Sequence, residues 1–271
     1  MNGDTSATDR RDAILKNLRR LGVYGSVIHT HRSMAAIKLP PARLVNFLVL
    51  PLSLIVFSLL AFPHITHLWK DFFLLAQRLL KFPGDVQINA IEILPFYYLD
   101  IPSYTMNAAW PTTGIMIATG LLIFVLFLVS RSLPERLIPL AYLMRVLCCI
   151  QLTALAYFAF ASEPFAYNLS AYTEGLLRAG VITILLIPLL FTVTLYMFRM
   201  ALVRKLLLTI ITMGHLTIFI PMQTLVHAYV IHACSFLVMS VMFFMFGLIL
   251  DILIIIAFYS WGMSWVDITN P

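Results

Sequence analysis

The chain has 271 residues, 61% hydrophobic and 11% charged, with a formal net charge of +6. A soluble domain carries about 45–50% apolar and about 25% charged residues. The composition therefore excludes an ordinary soluble globule, a disordered chain and a disulfide scaffold, and it points to an integral membrane protein.

Eight of the 18 basic residues stand before or at the opening of the first apolar run: Arg10, Arg11, Lys16, Arg19, Arg20, Arg32, Lys38 and Arg43. Such an excess suits the cytoplasmic flank of a first span and an anionic lipid surface. No basic-aromatic module surrounds it, so nucleic acid is not an expected partner; the lipid bilayer and other membrane proteins are. Within this tail, Ile14, Leu15, Leu18, Leu21 and Val23 share a helical face, with Arg11, Lys16, Arg19 and Arg20 on the rest. This pattern predicts an amphipathic helix over 9–23 that binds a membrane surface or a partner. The tail, 1–42, is read as one region and the membrane domain, 43–271, as the other.

A bilayer core needs about 20 apolar residues. On that basis the chain reads as six spans, near 43–62, 112–130, 137–161, 177–198, 206–229 and 234–259. The first begins too late for a cleavable leader and reads as an uncleaved anchor. The link between the last two is very short and predicts an antiparallel helical hairpin. With the N-terminus inside, inner segments hold 13 of the 18 basic residues and outer segments hold Lys70, Arg78, Lys81 and Arg178. The bias predicts cytoplasmic N- and C-termini. The compact loops favour a bacterial inner membrane.

The outer segment 63–111 is the longest piece between spans. From His67 to Phe82 an apolar arc of Leu68, Trp69, Phe72, Leu75, Leu79 and Phe82 opposes Lys70, Asp71, Gln77, Arg78 and Lys81, which predicts a separate helix lying in the outer interface. Beyond it, Pro83-Gly84 and Pro95, Pro102 and Pro111 punctuate β-prone runs and the aromatic Phe96-Tyr97-Tyr98. They predict a small external cap. In later spans Gly114, Ala118 and Gly120 suit close helix approach. Gln151, Gln223 and Thr224 should bond across helices, and Pro188 and Pro221 should kink their spans. The methionines of the last two spans read as packing.

Three ionisable groups fall within spans: Arg145, His215 and Asp251. All lie about 12–14 Å from the inner boundary at 1.5 Å per residue. A carboxylate in hydrocarbon must pair or protonate. Arg145 is the expected counter-ion of Asp251, with His215 beside them. The cluster reads either as a proton or substrate relay or as an interhelical bond that fixes packing. On the outer side, His64, His67, His227 and His232, with Cys234, form a rim that could hold a metal or a haem edge, although no metal-ligand spacing such as H-E-x-x-H is present. Cys148, Cys149 and Cys234 lack C-x-x-C spacing and read as buried hydrophobes. No nucleotide motif, G-x-S-x-G elbow or internal repeat occurs.

The expected architecture is all-α: a six-transmembrane-helix bundle with an amphipathic N-terminal helix and a small external cap. The first functional expectation is a non-enzymatic membrane subunit that anchors, assembles or regulates a larger complex and needs no cofactor. A second is a small transporter using the Arg145/His215/Asp251 relay. A third is a redox or metal-binding subunit using the outer histidines.

Overall fold

A computed structural model describes residues 41–81, 84–105, 109–161, 168–195, 198 and 200–265. The amphipathic helix expected over 9–23, with Arg11, Lys16, Arg19 and Arg20, lies outside the described residues. Six helices are long and apolar enough to cross a membrane. This is the make-up of an integral multi-pass membrane protein. We number them α1 (Pro41–Leu80), α2 (Thr113–Ser132), α3 (Ile138–Phe160), α4 (Leu169–Leu195), α5 (Leu202–Cys234) and α6 (Phe236–Met263), with strands β1 (Asp85–Leu94) and β2 (Tyr97–Thr105) between α1 and α2.

The outer segment differs most from expectation. The first span and the interfacial helix are one continuous helix of 40 residues, which runs through Pro51 and Pro63. The helix persists because a stripe beside the expected arc is protein-facing: Leu68, Leu75 and Leu79 of the arc are exposed, and only its Trp69 is buried. Phe62, Trp69, Phe73 and Ala76 are buried in the main core, and the Trp69 indole donates to the Thr217 carbonyl of α5 at 2.9 Å. Packing of this stripe outweighs the one backbone bond that each proline removes.

The expected cap is an antiparallel hairpin of β1 and β2 with a bulge between Glu92 and Leu94. Ile91, Ile93, Leu99 and Ile101 alternate onto its buried face, and Glu92 and Asp100 are exposed, the period of two that a half-buried sheet requires. β2 lies lengthwise on α1. The Tyr97 hydroxyl donates to the Leu59 carbonyl at 2.5 Å, and that of Tyr104 to the Phe73 carbonyl at 2.6 Å.

Burial raises the Tyr104 phenol from 10.0 to about 12. A raised folded value means that its contribution to stability is whole below about pH 10, where the unfolded phenol is still protonated, and is lost as the pH rises through about 12. Tyr104→Phe should cost about 1–1.5 kcal/mol at neutral pH and remove this alkaline loss. Thermal unfolding of both proteins at pH 7 and pH 11 checks it; an equal alkaline loss in the variant would reassign the loss to other groups.

The other boundaries moved by physical causes that the structure makes plain. α4 starts at Leu169 rather than near 177. Its added turns carry Glu174, and their buried side, Leu169, Tyr172, Thr173 and Leu176, packs on the hairpin and α5. Pro188 and Pro221 are buried inside continuous α4 and α5. The last two helices do form a hairpin, with Ser235 as its single linking residue, held at φ 125°. A side chain at this φ is strained. Its hydroxyl accepts from Leu237 N at 3.3 Å, which offsets part of that cost. α2 and α3 pair with each other, and a Cβ on Gly120 would stand 3.5 Å from Leu155. The expected cross-helix bond of Gln151 reaches the Leu237 carbonyl at 2.9 Å; Thr224 bonds back to Ile220 within its own helix.

Candidate functional site

α6 departs from regular geometry where it faces α5. Met242–Leu248 form a π-helical stretch. Such wide turns are rare and recur at functional sites. The structure places three side chains against this turn from α4 and α5 and one just beyond it. Gln223 and His227, one helical turn apart on α5, point toward it. The Gln223 amide nitrogen donates to the carbonyls of Phe246 and, at 3.3 Å, Gly247, one turn before Asp251 on α6. His227 Nδ1 lies 2.9 Å from the Tyr172 hydroxyl of α4. With the hydroxyl donating, the imidazole carries its proton on Nε2.

At Gly247 a Cβ would stand 3.4 Å from Leu176 Cδ1 and 3.8 Å from His227 Cε1, in ordinary contact with α4 and α5.

The site is buried and short of side-chain and backbone partners. Gln223, His227 and Asp251 are 5%, 1% and 6% exposed. Among the described residues, three buried side-chain polar atoms have no hydrogen-bond partner: Gln223 Oε1, His227 Nε2 and Asp251 Oδ1. All three belong to this one cluster. An unsatisfied buried polar atom costs about 1–3 kcal/mol, so their concentration in one place calls for an explanation other than packing.

The relay expected from the sequence is taken apart. Arg145 is bonded to Ser130, with Nε 3.4 Å from Oγ and Nη2 3.4 Å from the carbonyl, and its guanidinium lies 5.5 Å from the Tyr142 ring centre. The long side chain reaches along its own helical pair toward the end of α2, as arginine does in a membrane. α3 meets α6 at the first turns of α6, far from Asp251. His215 packs on Phe219 and Phe258, with ring centres 5.8 and 5.1 Å apart, and is exposed. The antiparallel register sets His215 against Phe258 and Gln223 against Gly247. Asp251 lies four residues past Gly247 and seven before Phe258, nearer the Gln223 level than that of His215.

The outer histidines are also dispersed. His64 and His67 lie exposed on α1, and His227 is buried at the π turn. No group of three His, Cys, Asp or Glu that could hold a metal ion occurs among the described residues. Cys148, Cys149 and Cys234 are free thiols; Cys148 is buried and the other two are exposed.

Two members of the observed cluster were missed as site residues. Gln223 was read only as a cross-helix bond, and Tyr172 fell in what was read as a loop. The signal was present: Gln223 and His227 have i, i+4 spacing, which puts both on one face of a helix. No protein family, curated protein or solved structure matches the chain.

Proposed function

We propose that this protein is a proton-coupled transport component of a membrane, with Asp251 as the group that binds and releases the proton. The observation that carries the reading is the gathering of the three partnerless polar atoms on Gln223, His227 and Asp251. An ionised carboxylate in a buried site needs a cation beside it, and an intramembrane carboxyl without one marks a proton or ion path. The Gln223 amide nitrogen is engaged by the carbonyls of Phe246 and Gly247, and Asp251 Oδ1 is left without a partner. A carboxyl so placed is satisfied best when it carries a hydrogen of its own. Tyr172 and His227 supply two further proton-bearing groups on the hairpin side of the cluster.

This reading keeps the transport alternative of the sequence and moves it to other residues. The basic N-terminal tail supports cytoplasmic termini in it, and the compact loops support a bacterial inner membrane. The subunit reading retains one observation of its own. In the α2 and α3 spans only 6% and 17% of the apolar window is buried within the chain, which leaves a wide face for lipid or for neighbouring membrane proteins.

The test is reconstitution of the full chain into liposomes that enclose a pH-sensitive dye. An imposed potassium-diffusion potential should drive proton uptake well above that of protein-free liposomes. Uptake at the protein-free rate, across both signs of potential and both directions of pH gradient, overturns the reading.

A further inference from the structure

The donor set at the π turn is made of oxygen. Asp251 Oδ1 and Gln223 Oε1 are buried with no hydrogen-bond partner among the described residues. The backbone carbonyls of Phe246 and Gly247 face the same side chain, Gln223. Carbonyls of a distorted membrane helix together with one carboxylate suit a dehydrated small alkali cation.

We propose that this pocket also binds Na+, in competition with the proton on Asp251. The inference rests on the proton-binding reading of the same site. The Gln223 amide nitrogen occupies the two carbonyls in the cation's absence. When Na+ arrives, the amide turns over. Its Oε1 joins the carbonyls of Phe246 and Gly247 and the Asp251 carboxylate as ligands, and both partnerless oxygens become coordinated. No bond other than coordination forms, and the Asp251 proton leaves to water as the cation enters.

Charge selects the ion. Asp251 is the one carboxylate of the pocket among the described residues. A monovalent cation leaves the site neutral, whereas a divalent one would bury a net positive charge at large cost. Hard oxygen ligands without thiolate favour an alkali cation over a soft metal. The other titratable groups facing the site are His227 from α5 and Tyr172 from α4, which are bonded to each other. From α3, Arg145 is held at Ser130; on α6, Tyr259 packs on Phe191.

The experiment uses the purified full-length protein in detergent. Thermal unfolding is followed in NaCl and in choline chloride at equal ionic strength, from pH 6 to pH 9, beside direct 22Na+ binding. The expected result is a saturable rise of the unfolding midpoint with Na+. The half-saturating Na+ concentration should climb about tenfold for each unit the pH falls wherever the proton holds the carboxyl. Asp251→Asn should lose the effect. If that variant does not fold, the competition between 22Na+ and proton in the wild type decides alone. Equal stabilisation by Na+ in wild type and Asp251→Asn, or 22Na+ binding independent of pH, overturns the proposal. So does the absence of any Na+ effect; if the same preparation still takes up protons in liposomes, the proton reading stands without it. Absence of both Na+ binding and proton uptake overturns both.

Discussion

Liposomes carrying Asp251→Asn are expected to take up protons at the protein-free rate, a loss of at least about tenfold in driven uptake, while the variant folds and inserts as the wild type does. Asparagine keeps the shape of the side chain and its hydrogen-bonding reach, but it has no proton to exchange. It even brings two amide hydrogens to a cluster where Gln223 Oε1 is a buried acceptor without a partner. Thermal unfolding in the same detergent should therefore give an equal or higher midpoint. Asp251→Glu, which restores the titrating group on a longer stem, should recover part of the flux. The combination separates chemistry from packing. A merely structural Asp251 would tolerate asparagine in both assays, and unchanged uptake in the asparagine variant would remove Asp251 from the path.

Gln223→Leu should have the largest effect on stability near the site. The change withdraws the donor that holds the carbonyls of Phe246 and Gly247 and sets methyl groups against them, in a position only 5% exposed. Loss of a buried donor that leaves acceptors unsatisfied costs about 1–3 kcal/mol per acceptor. The variant should unfold at a clearly lower temperature and lose proton uptake, because the π turn that presents Asp251 loses its brace. Gln223→Asn, one methylene shorter, should fall between the two. The measurement is the unfolding midpoint together with amide exchange across Met242–Leu248. Wild-type stability and exchange in the leucine variant would show that the wide turn is held by the helix packing alone.

The sequence made some of this site visible and hid the rest for identifiable reasons. Asp251 stood out because a carboxylate within an apolar run is conspicuous on composition alone. Its neighbours did not, because neighbourhood depends on register. A link near 230–233 sets Asp251 opposite about Thr212 of α5, whereas the observed link at Ser235 slides α6 about two turns toward Gln223. Ile231 is fully buried and extends α5 to Cys234. Nothing in the local composition distinguishes that extension from a link containing His232. The π turn is likewise invisible in Phe243-Phe244-Met245-Phe246-Gly247, since its hydrogen-bond spacing has no side-chain signature of its own. Arg145 was drawn to Asp251 by charge alone. Its actual partner, Ser130, lies on the helix before it, and the short α2–α3 link makes that neighbour local.

The fold divides in the same way. Hydrophobic length and charge distribution are properties of the chain read residue by residue, so the sequence by itself determined the membrane class, the six spans and the terminal helical hairpin. The tertiary structure alone decided where amphipathic faces went. An apolar stripe has the same periodicity whether lipid or protein covers it. The hairpin of β1 and β2, buried against α1 through Tyr97 and Tyr104, and the Trp69 bond to α5 put Trp69, Phe73 and Ala76 against protein and left Leu68, Leu75 and Leu79 exposed. The polar site depends on the same physics. Tyr172, Gln223, His227 and Asp251 come from three helices, and their meeting is fixed by helix register and by the wide turn at Met242–Leu248. Both are set by packing across the bundle, beyond the reach of any local pattern.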